Sequence, residues 1–456
     1  MDGKVRLGLV GCGGISRGLY VDLLTGFADR ARVVAVCDLL PERAGERSAQ
    51  FRDTYLRRAT EAEGRAATAD APLERERLLA LAADCRAAGR TAPRVHADLE
   101  RFARDDDLEA VIVTTQPAMH PVASIAAAEA GRHVFTEGPM APTLREADAM
   151  VDAARRNTVK LSVQYCTRFF REARQARLAI ESGRLGRIVM GRVDASWYHT
   201  MAYYNKDAYR GTWRGEGGGS VFHHGRYASD LYLHLMGEPL AEVAAFTGRF
   251  LHDIEYEDAS SAALRFRSGA LGHVTTTICA HRNDAIDYDR VEILGEKASL
   301  QVYRGVDWAA TPPASTFGLS VSSEDDEYTT ELREYLAEAV PPDGEDYQVR
   351  QMRLFLEAVR QDRDVPISGE SARAHVELAR ATYKSAFTRT VVRLPLAADD
   401  PFYGPEGTTP SWGRGSVGAW ERENEGRGAR GDRLVGMISV GSTLPRSHDP
   451  TLPRPR

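Results

Sequence analysis

Near the start of the 456-residue chain, Gly11-Cys12-Gly13-Gly14-Ile15-Ser16 has the residue types and order needed to hold a diphosphate. Gly11 permits a tight turn, Gly13 lets the ligand approach the backbone, and the small Ser16 lets a following helix pack closely on the preceding strand. Amides at that helix start would face the phosphates. Asp38 stands 27 residues after Gly11, at the end of a second apolar run. A carboxylate there can accept hydrogen bonds from both hydroxyls of an adenosine ribose and would repel a 2′-phosphate. The spacing therefore points to NAD, with Arg43 keeping NADP open. Lysine occurs only at positions 4, 160, 206, 297 and 384. Chemistry that needs a lysine proton thus has few candidates.

These residues need a frame. Residues 5–10, VRLGLV, form the apolar run expected of a buried parallel strand, and 33–37 form another. Residues 42–94 are polar, rich in Arg, Ala and Glu, and read as a helix enlarged by a helical insertion over about 53–94. Strand patterns at 110–115, 133–136 and 161–164 then alternate with helical ones at 99–104 and 122–130. A further helix opens on the capping box Thr143-Leu144-Arg145-Glu146 and runs to about 156. Such alternation predicts an α/β fold with a doubly wound parallel sheet. Ligands of that fold bind beyond the carboxyl ends of the strands. Residues 11–16, Asp38, 115–120, 137–139 and 164–168 all fall there.

The second half has a different rhythm. Strand-like stretches at 188–198, 241–250, 260–266, 271–279, 289–294 and 299–302 predict an α+β domain with a large, mainly antiparallel sheet, and helices return at 347–361 and 369–385. From about 397 the chain is rich in Gly, Pro, Arg and Ser without periodicity, an irregular or disordered tail that Trp412 and Trp420 could pin. The expected division is 1–140, 141–396 and 397–456. The composition is that of a globular protein, 43% hydrophobic and 27% charged, and a net charge of −6 argues against nucleic acid as a partner. No apolar run approaches the ~18 residues of a membrane span. The five cysteines (12, 37, 85, 166 and 279) are scattered without CxxC spacing. Neither a disulfide framework nor a metal site is expected, and a reducing cytoplasm is the expected location.

Taken together, the order of motifs resembles the Gfo/Idh/MocA family of oxidoreductases. The resemblance covers residues 4–396 and rests on GCGGIS at 11–16, the acid Asp38, TQPAMH at 115–120, EGP at 137–139 and Arg168-Phe169. It continues through ESGRLGRI at 181–188, Trp213-Arg214, GGGSVFHHGRYASDLYLHLMG at 217–237, GALG at 269–272, LGEKASL at 294–300 and PISGESA at 366–372. The family implies a Rossmann domain followed by an α+β domain whose open sheet often packs on another subunit, so a homodimer or homotetramer is expected. It also implies bound NAD or NADP and reversible hydride transfer at a secondary alcohol of a sugar, cyclitol or related small molecule. On the matching positions, Gly11, Gly13, Gly14, Ile15, Ser16, Asp38, Arg43, Thr115, Pro117, His120, Glu137, Gly138, Pro139 and Arg168 would bind the cofactor. Lys206, Trp213, Arg214, His224 and Asp230 would face the substrate.

The departures carry the most information. The family usually has Glu-Lys-Pro where this chain has Glu137-Gly138-Pro139, so its usual lysine is missing. In the family pattern GGGxxxDxGxHxxD, the Asp and His positions hold His223 and Tyr227, and only the last acid remains, as Asp230. Oxidising an alcohol needs a hydride acceptor and a base. Histidine titrates near neutrality, so His223 is the expected base. Tyr227 could donate to a substrate oxygen, or act as a base if Arg168 or Arg226 lowered its pKa. Each position also has a plain reading as packing. Two alternatives stay open: a redox-neutral enzyme that oxidises its substrate transiently, and a catalytically silent NAD-binding sensor or scaffold.

Overall fold

The computed structural model describes residues 3–281, 286–307 and 314–408. The first half is built on six short strands: β1 (Val5–Val10), β2 (Ala31–Cys37), β3 (Arg94–His96), β4 (Ala110–Val113), β5 (His133–Thr136) and β6 (Leu161–Val163). All pair in parallel, in the order β3-β2-β1-β4-β5-β6. This is the doubly wound order with its ligand crevice between β1 and β4. Helices α1 (Val21–Thr25), α2 (Pro41–Thr68), α3 (Pro72–Gly89), α4 (Leu99–Ala103), α5 (His120–Glu129) and α6 (Leu144–Arg156) cover it. The capping box forms as read: Thr143 Oγ1 accepts from the Glu146 amide at 3.2 Å and donates to its carboxylate at 2.7 Å. The polar stretch over 42–94 is a hairpin of α2 on α3, with Phe51, Tyr55, Ala59, Cys85 and Ala88 buried.

The sheet runs past residue 140, because β6 pairs with β5. Its core also draws on a distant helix. In the second half come α7 (Arg171–Glu181), β7 (Ile188–Ser196), α8 (Met201–Tyr204), α9 (Trp213–Glu216), α10 (Arg226–Met236), β8 (Leu240–Gly248), β9 (Ala259–Phe266), β10 (Leu271–Thr277), β11 (Ile286–Gly295), β12 (Ser299–Asp307), β13 (Ala314–Ser322), α11 (Asp326–Ala339), α12 (Tyr347–Gln361), α13 (Gly369–Thr388) and β14 (Val392–Arg393). Met352, Phe355 and Leu356 of α12 pack beside Val5, Leu7, Leu9, Ile112 and Phe135 of the first sheet. Gln351 on the same helix donates to the Val163 carbonyl at 2.7 Å.

The second sheet has eight strands in the order β13-β12-β11-β7-β10-β9-β8-β14, antiparallel except for the β7–β10 pair. α10 lies on its inner face, where Gly191 leaves room that a Cβ would deny to Met236 and Tyr232. Residues 397–408 are irregular but fixed: Arg380 donates to the Phe402 carbonyl at 2.8 Å, to Thr408 Oγ1 at 3.2 Å and to the Gly404 carbonyl. Trp412 and Trp420 lie outside the described residues. Among those described, no helix is long and apolar enough to cross a membrane.

Candidate functional site

The glycine loop has one tight end and one open end. Gly11 adopts φ +96°, and a Cβ there would meet Thr114 and Thr115 backbone atoms at 2.6–2.8 Å, so only glycine fits. A Cβ on Gly13 or Gly14 would meet nothing within 4 Å. That free space, bordered by the amides of a helix start, fits a diphosphate. Asp38 closes the loop from β2, accepting from the Cys12 amide at 2.7 Å and the Leu40 amide at 2.9 Å. Arg43 is exposed on the first turn of α2. The loop's arginine is instead the buried Arg47, which donates to Ser16 Oγ and to the Cys12 carbonyl, each at 3.2 Å.

Further along the crevice, His120 lies between the Pro139 and Thr115 carbonyls, at 2.9 and 3.0 Å. Burial lowers its pKa to about 4, so it is neutral and fastens the two turns. Glu137 is buried, with its pKa raised by burial, and accepts from Tyr20 at 2.7 Å. The missing lysine has a structural counterpart. A Cβ at Gly138 would come within 2.8 Å of the Gln164 carbonyl and 2.9 Å of the Tyr165 ring. Tyr165 is fully buried and bonds His375 at 3.1 Å, so the position is filled from β6.

The second half presents its polar residues at the start of α10. His223 Nε2 lies 3.5 Å from Glu216 Oε1, and its Nδ1 has no hydrogen-bond partner. Burial, helped by Arg226 and Arg210, holds the His223 pKa well below the ordinary value, which corrects the expectation of a ring that titrates near neutrality and makes it a weaker base than a free imidazole. Glu216 is fully buried, accepts from the Gly211 amide at 2.7 Å and from Tyr256, and has its pKa raised by burial. Tyr227 donates to Gln164 at 3.0 Å and accepts from Arg226 at 3.3 Å. Burial outweighs the arginine and raises the Tyr227 pKa, so it stays a phenol. This corrects the expectation that a nearby cation would make it a base. His224 points elsewhere, to Tyr204 at 3.1 Å, within a cluster that includes His199.

Other expected contacts are used internally. Arg168 and Asp230 form a buried two-point ion pair at 2.7 and 2.6 Å, and Arg168 also donates to Ser371. The pair accounts for both Asp230 oxygens and, with Ser371, for one bond from each Arg168 nitrogen. Trp213 packs edge-on against Tyr256 and Tyr383 and donates to the Glu255 carbonyl. Arg214 and Lys206 are exposed, and Lys206 does not reach in to replace the missing lysine. Among the described residues, His252, Asp258 and Cys279 bring three metal-type donors together. Both His252 nitrogens are already engaged, by Asp258 and the His199 carbonyl, and three amides bond Asp258. Sequence reasoning missed Glu216, Arg47 and Tyr20, and named Arg226 only as a neighbour of Tyr227. A buried acid next to a family glycine run was the one signal available for Glu216.

Two family models match the chain: an oxidoreductase family with an NAD-binding Rossmann fold over residues 5–165, and the GFO/IDH/MocA C-terminal domain over residues 173–301. The chain belongs to the Gfo/Idh/MocA oxidoreductase family, and residues 5–165 form an NAD-binding Rossmann domain. It is 32% identical over 206 residues to the 1-carboxy-3-chloro-3,4-dihydroxycyclohexa-1,5-diene dehydrogenase of Comamonas testosteroni, a match spanning 45% of this chain and 51% of that one. It is 26% identical over 307 residues to the myo-inositol 2-dehydrogenase of Thermotoga maritima, spanning 66% and 84%. The crystal structure of the WlbA dehydrogenase from Bordetella pertussis, in complex with NADH and UDP-GlcNAcA, superposes with a TM-score of 0.65 at 26% identity, covering 87% of this chain and 99% of that one.

Proposed function

We propose that this chain catalyses reversible, NAD-dependent oxidation of a secondary alcohol on a sugar, cyclitol or sugar-derived ring, with His223 as the base. The observation that carries the reading is the place of His223: a largely buried imidazole 3.5 Å from the buried Glu216 carboxylate, with its Nδ1 lacking a hydrogen-bond partner, at the α10 end of the crevice. Its lone pair can take the hydroxyl proton. Glu216, 3.5 Å away, offsets the imidazolium charge that results. Tyr227, held as a phenol, donates a hydrogen bond to a substrate oxygen once Gln164 yields it. The amides of Gly13–Ser16 and the Asp38 carboxylate would hold the cofactor's diphosphate and adenosine ribose, and the bound nicotinamide accepts or returns the hydride. Asp38 favours NAD over NADP because its carboxylate repels a 2′-phosphate. The dehydrogenases named above, one of an inositol and one of a dihydroxycyclohexadiene, support a ring alcohol as substrate.

The same reading makes the chain a homodimer or homotetramer through the open face of the second sheet. Phe246 is 82% exposed there and Leu271 46%; light scattering reads the mass. The activity is tested by following NADH formation by purified protein on a panel of polyols, uronic acids and cyclitols. Turnover by the wild type and its loss in His223→Ala is the expected pair. NADH binding with no turnover on any member would instead favour the silent sensor. Solvent deuterium in a product without net NADH would favour transient oxidation.

A further inference from the structure

Arg226, the first residue of α10, differs from the other arginines of the crevice and the second sheet; Arg32, whose Nε also lacks an acceptor, lies at the opposite end of β2, away from the crevice. Arg168 is matched by Asp230, and Arg304 lies 3.5 Å from Asp289. Arg47 and Arg380 have no carboxylate partner, but each bonds an acceptor through all three nitrogens. Arg226 donates through only two, to the His223 carbonyl and to Tyr227. Its Nε is buried without an acceptor, and among the described residues no carboxylate oxygen lies within 4 Å of it. The nearest offset is the Tyr227 ring, whose centroid is 4.3 Å from the guanidinium carbon. Glu137, Glu216 and Asp289 face it from farther off, and each already bonds another group, Tyr20, Tyr256 and Trp197 respectively. A buried donor without an acceptor is unfavourable, and nothing in the fold's own hydrogen bonding satisfies this one.

We propose that Arg226 receives a carboxylate carried by the substrate, so that the preferred substrates are ring alcohols bearing an acid group, such as uronic acids or carboxylated cyclitols. This rests on the reading that His223 and its neighbours form the substrate site. A planar guanidinium suits a carboxylate, which two parallel hydrogen bonds can engage. A neutral polyol could offer Nε only an uncharged acceptor. Arginine holds its proton under all conditions, so it serves as a fixed charge and leaves proton transfer to His223.

The test is binding, which needs no turnover. Titration calorimetry on the full chain saturated with NAD compares quinate with myo-inositol, and glucuronate with glucose. The acid of each pair is expected to bind at least about tenfold more tightly. Arg226→Met should erase that preference, keep NAD affinity, and melt no lower than wild type without ligand, because a buried donor without an acceptor has gone. Arg226→Gln takes its place should the methionine variant not fold. His223→Ala should retain the preference. Equal binding of acid and neutral ligand by the wild type overturns the proposal, as does a preference that survives in Arg226→Met, or loss of NAD binding in that variant. A wild type that prefers acids yet turns over none of them overturns the dehydrogenase reading and leaves this one standing.

Discussion

The two ends of the crevice are finished to different degrees. At the glycine loop every charged group is bonded: Asp38 by two amides, Arg47 through all three nitrogens. At the start of α10, His223 Nδ1, Glu216 Oε1 and Arg226 Nε have no partner. A buried polar atom without a partner costs about 1–3 kcal/mol, so the second end is where the fold carries unmet hydrogen bonding and where a ligand gains most. On the proposed reading, the glycine loop is a preformed socket for the cofactor, and the α10 end is completed by the substrate that enters it.

That contrast can be broken experimentally. The largest expected effect is at the unfinished end: His223→Ala should lower kcat by about 10²–10⁴ if the imidazole takes the proton, and a kcat within twofold of wild type would remove it from the chemistry. Next is a purely structural pair. Arg168→Met should destabilise the fold by about 3–5 kcal/mol, since it strands the buried Asp230 carboxylate; denaturant unfolding reads it. At the finished end, two glycines should separate. Gly13→Ala should leave the melting temperature unchanged and weaken NADH binding at least about tenfold by filling the diphosphate's space, whereas Gly11→Ala should lower stability by about 1–3 kcal/mol through its positive φ and the Thr114 backbone. Equal behaviour of the two variants would refute the socket description.

The smallest effect concerns Glu257, which accepts from the Val221 amide at 3.0 Å, while its other oxygen lacks a partner. Burial raises its pKa from 4.5 to about 7. A carboxyl raised on folding contributes stability that is full below about pH 4.5 and is lost as pH climbs through about 7. Glu257→Gln should therefore match wild type at pH 5 and exceed it at pH 8, by at most about 3 kcal/mol. A constant difference across that range would show that the carboxyl does not titrate there.

The legible parts of the sequence were those set by local rules. Gly11, Asp38, the capping box at Thr143 and the alternation of strands and helices each follow from backbone geometry within one element, and all appear in the fold. β13 was missed although Phe317, Leu319 and Val321 alternate with Gly318, Ser320 and Ser322 and turn one face to the core. α11 offered more, a cap at Asp325 and buried Thr329, Leu332 and Leu336 on one face. At the site, sequence order hides that Arg168 and Asp230 reach each other across 62 positions. Gly138 showed only that a lysine was absent. That Tyr165 and the Gln164 carbonyl occupy its place is a tertiary fact.

The helix α12 sits in the hydrophobic floor of the first sheet although it is made some 200 residues later than β6. Until it arrives, Leu7, Ile112 and Phe135 lack part of their cover. On the ribosome the nucleotide-binding domain must therefore wait until α12 has been made before it closes. A chain cut after β6 is expected to emerge sticky and chaperone-dependent rather than as a freestanding module.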